Sequence, residues 1–446
     1  MGVKISGLTA KGATIADTDL VEVSQSAGGG LYTSRSVTGA NIKALVTDAN
    51  MTTSDITTND VSTAKHGFAP KAPNDTAKFL RGDGTWAVPA GGGLTEFTEL
   101  ETTAAPNATV PVNSLTPVTA TTNADFALIP KGNGALLANI PDNTNTGGNK
   151  RGTNSIDLQT KRSANTAVAS GNDSVVIGVN NRASANNSVA IGSSCTADGV
   201  DSMALGSGSI CGAGNNYSFG TGSTSSGGFG AVSLGRSNTS SGDGTLTAGF
   251  ACTASGSRSV SLGESNTASS ANSVAIGINN TANAIHSFAL GNRAHTFGII
   301  GRQVYASGQE GTTGDSQASK FILRERTTNN TATTLTSDSG AAGAANQVIL
   351  SNQSAYRFKG TIVGKQSGSV NASVWDVDGF IVRGANAAAT TLNVSNVTLV
   401  QNTPAWGTPT LAADTTNGGL RVQCTGAAAT NIQWTAVIET TEVIYA

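Results

Sequence analysis

The fold turns on Asn187-Ser-Val-Ala-Ile-Gly192 and its near-copies along the chain. The first five pentads are Ser174-Val-Val-Ile-Gly178, Ser188-Val-Ala-Ile-Gly192, Ser202-Met-Ala-Leu-Gly206, Asn216-Tyr-Ser-Phe-Gly220 and Ala231-Val-Ser-Leu-Gly235. Thr245-Leu-Thr-Ala-Gly249, Ser259-Val-Ser-Leu-Gly263, Ser273-Val-Ala-Ile-Gly277 and Ser287-Phe-Ala-Leu-Gly291 complete the series. Their glycines are spaced 14, 14, 14, 15, 14, 14, 14 and 14 residues apart. Between pentads runs a second short strand of small residues, such as Cys195-Thr-Ala197 or Asn280-Thr-Ala282. A fixed period of this kind marks stacked units. Two strands and two corners in one period make one turn of a parallel β-coil. Turns stacked at about 4.8 Å give a coil roughly 40 Å long.

Within a pentad the second and fourth residues are mostly apolar, and the first and third are small or polar. That is the period-2 pattern of a strand with two unlike faces. The expectation is that the apolar row points inward. It places the β-roll core at Val175, Ile177, Val189, Ile191, Met203, Leu205, Val260, Leu262, Val274, Ile276, Phe288 and Leu290. The corners are expected at Gly178, Gly192, Gly206, Gly220, Gly235, Gly249, Gly263, Gly277 and Gly291, where a positive φ costs glycine little. Ala190, Ala204, Ala275 and Ala289 would then face out, and so small a flank lets a second backbone approach. Side-by-side packing of identical chains follows as an expectation.

Composition narrows the function. Lys+Arg 26 against Asp+Glu 28 leaves a net charge of -2, with no basic excess to hold nucleic acid. Charged residues are 12% and aromatics 5%, while glycine reaches 55 copies. So small-residue a chain does not resemble an enzyme with a thick core. The four cysteines, Cys195, Cys211, Cys252 and Cys424, form no CxxC pair. The first ten residues hold no apolar stretch of signal-peptide length. No run reaches the roughly 20 apolar residues of a membrane helix. Synthesis in a cytoplasm without general export is the expectation. Met1, Gly2 and Ser6 fit a myristoylation pattern, which we read as an ordinary start followed by a small residue.

The pentads resemble the N-S-V-A-I-G repeats of YadA-type heads of trimeric adhesins, with Asn187 to Gly192 and Asn272 to Gly277 matching letter for letter. The resemblance covers about a quarter of the chain and implies a left-handed parallel β-roll trimer. Copies four to six depart from it, with Asn216 and Ala231 for the leading serine and Ala248 for an inward aliphatic. Phe229 or Phe250 is expected to fill the gap. The flanks resemble phage fibres and other virion appendages. The segments concerned are Ser62 to Asn74, Phe79 to Trp86, Val3 to Thr9 with Asp17 to Val21, and residues 148–160. At the C-terminus, Asn402 to Trp406 and Ala413 to Gly419 resemble the terminal domain of such fibres.

The fold class expected is all-β: an elongated homotrimer with an N-terminal anchor, a 14-residue-period parallel β-roll and a C-terminal antiparallel β-sandwich. Residues 1–60 read as the virion anchor, with a short helical stretch near 38–49. Residues 61–93 read as a linker, 94–170 as a β-rich shaft, 171–295 as the roll and 296–318 as a neck. Residues 319–446 hold Trp375, Trp406 and Trp434 and several alternating strands, so they can bury a conventional core. That unit is the expected receptor-binding and trimerisation domain.

Candidate chemistry is sparse. Asp376 and Asp378 share one strand face, the minimal pair for glycoside hydrolysis or calcium, but a solvated outer face is the simpler reading. Asp198, Asp201, Asp243 and Glu264 fall at differing registers and form no groove. His66, His286 and His295 lack metal-motif spacing; His295 could meet its copies at a symmetry axis, or simply cap the last rung. Cys195 and Cys252 share a register four rungs apart, too far to bridge, and read as buried fillers. Gly212 to Gly214 and Gly220 to Gly222 lack the Lys-Ser/Thr ending of a phosphate loop. No catalytic, cofactor-binding or metal residue is assigned. Trp406, in a Pro-bearing loop, is the candidate receptor contact, with a place in the core as the equal alternative.

The sequence thus points to a non-enzymatic phage tail fibre or tailspike-like protein, carried on a virion and mediating host attachment. Its expected partners are two further copies of itself, tail or baseplate proteins at the N-terminus, and a host receptor such as a glycan, with no nucleic acid, membrane insertion or cofactor. Alternatives are a virion or head-fibre protein without receptor role, a polysaccharide-depolymerising tailspike, and a bacterial trimeric adhesin. The last needs a signal peptide, a stalk and a membrane barrel, for which no pattern is visible.

Overall fold

The structure, a computed structural model, describes residues 20–26, 32–38, 40–41, 78–88, 97–102, 112–117, 127–404 and 406–445. The chain divides into two units, Met1–Phe126 and Ala127–Ala446. In the first, three antiparallel pairs are described: Leu20–Ser26 with Tyr32–Thr38, Phe79–Leu80 with Trp86–Ala87, and Phe97–Thr102 with Val112–Pro117. The middle hairpin is closed by Asp83, whose Oδ1 accepts from the Thr85 N–H and hydroxyl. Of the helical stretch expected at 38–49, residues 40–41 are described and are helical. The rest of the expected anchor and linker, including His66, lies outside the described residues.

The second unit is a parallel stack. Strands Val175–Val179, Val189–Ser193, Met203–Ser207 and their successors to Phe288–Asn292 pair in unbroken register, each residue facing its equivalent one repeat on. The short strands from Arg182–Ala183 to Thr281–Ala282 form a second parallel sheet behind them. The stack extends past the pentads at both ends. Ile156–Lys161 precedes it, and Gln303–Ser307, inside the expected neck, adds a further parallel strand.

The structure corrects the facing of the pentads. The first and third residues line the interior: Ser188, Ala190, Ser202, Ala204, Ser273 and Ala275 are all 0–1% exposed. Val175, Ile177, Val189, Ile191, Met203, Leu205, Val260, Leu262, Val274, Ile276, Phe288 and Leu290 point outward. Ile177 and Leu290 are 38% and 37% exposed, and the others are half-buried. The reason is width. Corners this short hold the two layers so close that the interior takes mostly alanine and serine, with Val176 the bulkiest interior residue among the pentads' third positions. Hydroxyls cross the gap: Ser225 Oγ donates to the Tyr217 carbonyl at 2.7 Å, and Ser218 Oγ to the Ser223 carbonyl at 2.8 Å.

The repeat glycines also sit differently from expectation. Gly178, Gly192, Gly206, Gly220, Gly235, Gly249, Gly263, Gly277 and Gly291 lie inside the strands, not at the corners. Gly192 has φ +126, and a Cβ there would stand 1.9 Å from the Gly206 carbonyl oxygen. The sharp left-handed bend comes two residues later, as at Ser194 with φ 57. Glycine is therefore required by rung-on-rung approach as well as by φ.

Gln303–Ser307 is the pivot of the unit. It pairs parallel with Phe288–Asn292 and antiparallel with Ser316–Thr327. The same sheet then continues antiparallel through Ile432–Ile444, Ser354–Gln366, Ala372–Arg383 and Thr390–Thr403. A smaller antiparallel sheet forms around Gly419–Thr425, which pairs with Thr410–Asp414, Ala332–Thr334 and Val348–Ile349. Phe321, Tyr356, Phe358, Trp375 and Trp434 of the large sheet pack in one core with Leu335, Leu420 and Val422. The antiparallel C-terminal unit read from the sequence is present, but it is hydrogen-bonded to the roll as one sheet.

Candidate functional site

Two ladders of side chains run along the outer face of the long-strand sheet. One is Val189, Met203, Tyr217, Val232, Leu246, Val260, Val274 and Phe288; the other is Ile191, Leu205, Phe219, Leu234, Ala248, Leu262, Ile276 and Leu290. Parallel pairing in register stacks them at about 4.8 Å intervals. The result is a contiguous apolar stripe along this chain, its members half-buried or exposed, of the kind that marks an interaction surface. Phe229 and Phe250 do not fill the gap expected at Ala248; they are 68% and 42% exposed, and Arg236 stacks on Phe250 at 5.2 Å.

Beyond the pivot the same face changes character. One transverse row reads Phe288, Gln303, Lys320, Glu439, Lys359 and Asp378, each directly opposite the next. Lys359 and Glu439 form an ion pair at 3.5 Å, and Arg357 holds Asp378 at 2.6 Å. Asp376 and Asp378 do share a face, as expected. Asp376, however, accepts from Thr361 Oγ1 at 3.0 Å and Asp378 is bound to arginine, on an exposed surface.

The other candidates disperse. Trp406 is corrected from surface to core: it is 6% exposed and meets the Trp434 ring edge-on at 5.5 Å. The loop folds back because Asn402 Oδ1 accepts from the Trp406 N–H and its Nδ2 donates to the Trp406 carbonyl. Asp198 pairs with Arg182, Asp201 accepts from Asn187 at 2.8 Å, and Asp243 accepts from the Gly228 N–H at 2.6 Å. His286 bonds Asn272 on the surface at 3.2 Å. His295 is half-buried beside Phe297 and Asn283; burial, then the Arg302 charge, push its pKa down to about 4. Among the described residues no group of three or more His, Cys, Asp or Glu could hold a metal. No helix among them is long and apolar enough to cross a membrane.

The four cysteines are free and buried, and burial pushes the Cys211 thiol up to about 12. Cys195 and Cys252 occupy an interior ladder otherwise held by amides and, at Ser209 and Ser223, by hydroxyls. Gln159 Oε1 accepts from the Asn181 N–H, Asn181 Oδ1 from the Cys195 N–H, and Asn238 Oδ1 from the Cys252 N–H. Asn266 and Asn280 continue it to the Ala294 N–H.

Two buried ionic clusters were not singled out in the sequence, one of them local and the other joining residues far apart in the chain. Before the first pentad, Asp157 joins Arg151 at 2.6 Å and Arg162 at 3.1 Å, with all three side chains at 0–1% exposure. At the other end Arg302 pairs with Glu442, 140 residues on, and its Nε donates to Ser319 Oγ at 3.0 Å. Arg302 takes the interior position that Ser287 holds one rung earlier, so it closes the last rung where repetition stops.

Comparison with known proteins adds the following. Residues 169–194, 254–279 and 268–294 match the YadA head domain repeat. The rungs between 195 and 253, where the pentads depart most, lie outside those matches. No curated protein matches this chain. Among solved structures, the tailspike protein of Acinetobacter phage vB_ApiP_P1 aligns at 10% identity with a TM-score of 0.20. The alignment covers 65% of this chain and 58% of that one.

Proposed function

From a β-roll of the YadA head type as premise, we propose that this chain is a phage tail fibre or tailspike-like attachment protein. It acts as a homotrimer carried on a virion and binds the host surface without turnover. The observation that carries the reading is the outward apolar stripe. A row of Val, Ile, Leu and Met along nine rungs is costly to leave in water, at about 25 cal/mol per Å². Sister copies offer the same stripe at the same pitch, so they cover it rung for rung. The roll then acts as a stiff spacer, because one hydrogen-bonded sheet runs from the repeats into the C-terminal strands.

Attachment follows from the far end. The C-terminal sheet presents an outer face on which charged and polar side chains alternate with exposed Ile322, Val363 and Val443, suited to many weak contacts multiplied by three copies. Asp376 and Asp378 are engaged by Thr361 and Arg357, and binding rather than cleavage is the role proposed. The test is saturable binding of the labelled full chain to intact bacterial cells, alongside an assay for released oligosaccharide. Binding at three-chain mass without product is the expected result. Failure to bind any strain on which the parent particle grows removes the attachment role, and released oligosaccharide makes the protein a depolymerase.

A further inference from the structure

The outer face of the C-terminal sheet is divided by charge. Its acids, Glu439, Asp376 and Asp378, lie in the rows nearer the roll. At the opposite strand ends the rows read Arg324, Thr435, Val363 and then Arg326, Gln433, Lys365, with no carboxylate. There the ends of Ser316–Thr327, Ser354–Gln366 and Ile432–Ile444 enclose a cleft of roughly 620 Å³. Arg326, Lys365, Gln433, Gln366, Thr328 and Asn431 line it. The neighbouring acid, Glu325, alternates to the other side of its strand and accepts from the Arg326 backbone N–H at 2.8 Å.

The cations here are not consumed by the fold in the way Arg357 and Lys359 are. Lys365 Nζ touches only the Gln366 and Ser369 carbonyls, which leave its charge uncompensated. The Arg326 guanidinium has no partner among the described residues. Gln433 stands directly between the two in register. Arg326 and Lys365 are thus two strand spacings apart, about 9–10 Å at the backbone. That is a cation, a neutral amide and a cation in a line, rimmed by hydroxyls and amides.

We propose that this cleft binds a carboxylate-bearing polysaccharide, and this inference rests on the surface-attachment reading above. Arg326 offers a planar fork that matches a carboxylate, and Lys365 a point charge for a second acid group along the chain. Gln433, Gln366, Thr328 and Asn431 pair with sugar hydroxyls between them. A nucleic acid is disfavoured by the row of acids on the same face; Val363 and Ile432 also line the cleft, beside the two cations, and can meet the apolar face of a sugar ring.

The test uses the purified full chain with polygalacturonate, neutral dextran and inorganic polyphosphate. Polygalacturonate is expected to bind with an affinity that falls as salt rises, and dextran not to bind. Arg326→Gln with Lys365→Gln is expected to weaken polygalacturonate binding at least tenfold, about 1.4 kcal/mol. Lys320→Gln with Lys359→Gln, an equal charge loss elsewhere on the face, is expected to leave it unchanged. No binding by the parent chain, equal binding by the double variant, or polyphosphate bound as tightly as polygalacturonate would each overturn the proposal. Host-cell binding retained by a double variant that no longer binds polygalacturonate removes this cleft from the attachment role but leaves that role standing.

Discussion

Ala275 and Ile276 are neighbours in one pentad, yet they answer to opposite constraints. Ala275 has no exposure and sits between two layers, whereas Ile276 is half-buried on the outer face. Ala275→Ile is therefore expected to destabilise the chain by about 1–3 kcal/mol through overpacking, read as a lower urea midpoint. Unchanged stability would mean that the interior is wider than its alanine and serine lining implies. Alternation told that the two strand faces differ, but period 2 is symmetric and does not say which face is inside. Volume does. The third pentad position runs Val176, Ala190, Ala204, Ser218, Ser233, mostly small; the second runs Val175, Val189, Met203, Tyr217, Val232, varied in bulk. A gap of fixed width demands the uniform row, and that signal was available in the sequence. The choice between surface and core at Trp406 stayed open in the sequence for a different reason. Its partner Trp434 lies on a strand 28 residues away, and only the folded sheet brings the rings together. The amide ladder gives a further residue-scale prediction. Cys252→Asn would place a side-chain amide between Asn238 and Asn266, which already hold the equivalent bonds. A gain of about 0.5–1.5 kcal/mol is expected in thermal or urea unfolding.

At the scale of elements, the question is how a repeat ends. Each interior rung satisfies its backbone with the rungs above and below, so the last must meet something else. Here the roll converts to antiparallel pairing at Gln303–Ser307, and Arg302 with Glu442 closes the interior. Both side chains are fully buried. Glu442→Gln leaves the guanidinium charge uncompensated and is expected to cost about 3–5 kcal/mol, whereas replacing both partners with apolar residues of similar size should cost far less. Equal losses from the single and double changes would show that the pair is no more than filler. His295 beside this junction makes it sensitive to acid. Its pKa falls from 6.5 to about 4 in the folded chain, so between those values the unfolded chain binds the extra proton. Stability from this group is whole above about pH 6.5 and is lost as pH falls toward 4. The urea midpoint should drop between pH 7 and pH 4.5, and less so in His295→Gln; equal drops in both would assign the acid response to other groups. Repetition made the interior rungs legible at once. The closure was not, because an arginine and a glutamate 140 residues apart carry no local pattern.

For the whole molecule, the facing correction changes why copies should associate. Small residues were expected outside, admitting a second backbone; the structure instead puts the aliphatic ladders outside. Association thus draws on apolar area rather than on close backbone approach, and the two predict different mutants. Ile191→Asp and Ile276→Asp place a carboxylate on the outer stripe, where water reaches it in the single chain. Each rung should therefore still form, with an unchanged β-sheet circular dichroism spectrum. In the associated state the same carboxylate would be buried without a partner, once per chain, at a cost of several kcal/mol each time. Light scattering is expected to read one-chain mass for either variant and a higher closed mass for the parent. Loss of β-structure in the variants would return the aliphatic row to the interior, and a parent chain that stays monomeric at high concentration would leave the stripe without its proposed cover. Cell binding ties this to function: three tethered sites gain avidity that one cannot. The dissociated variants should release from cells faster than the parent, even though every residue of the C-terminal face is intact.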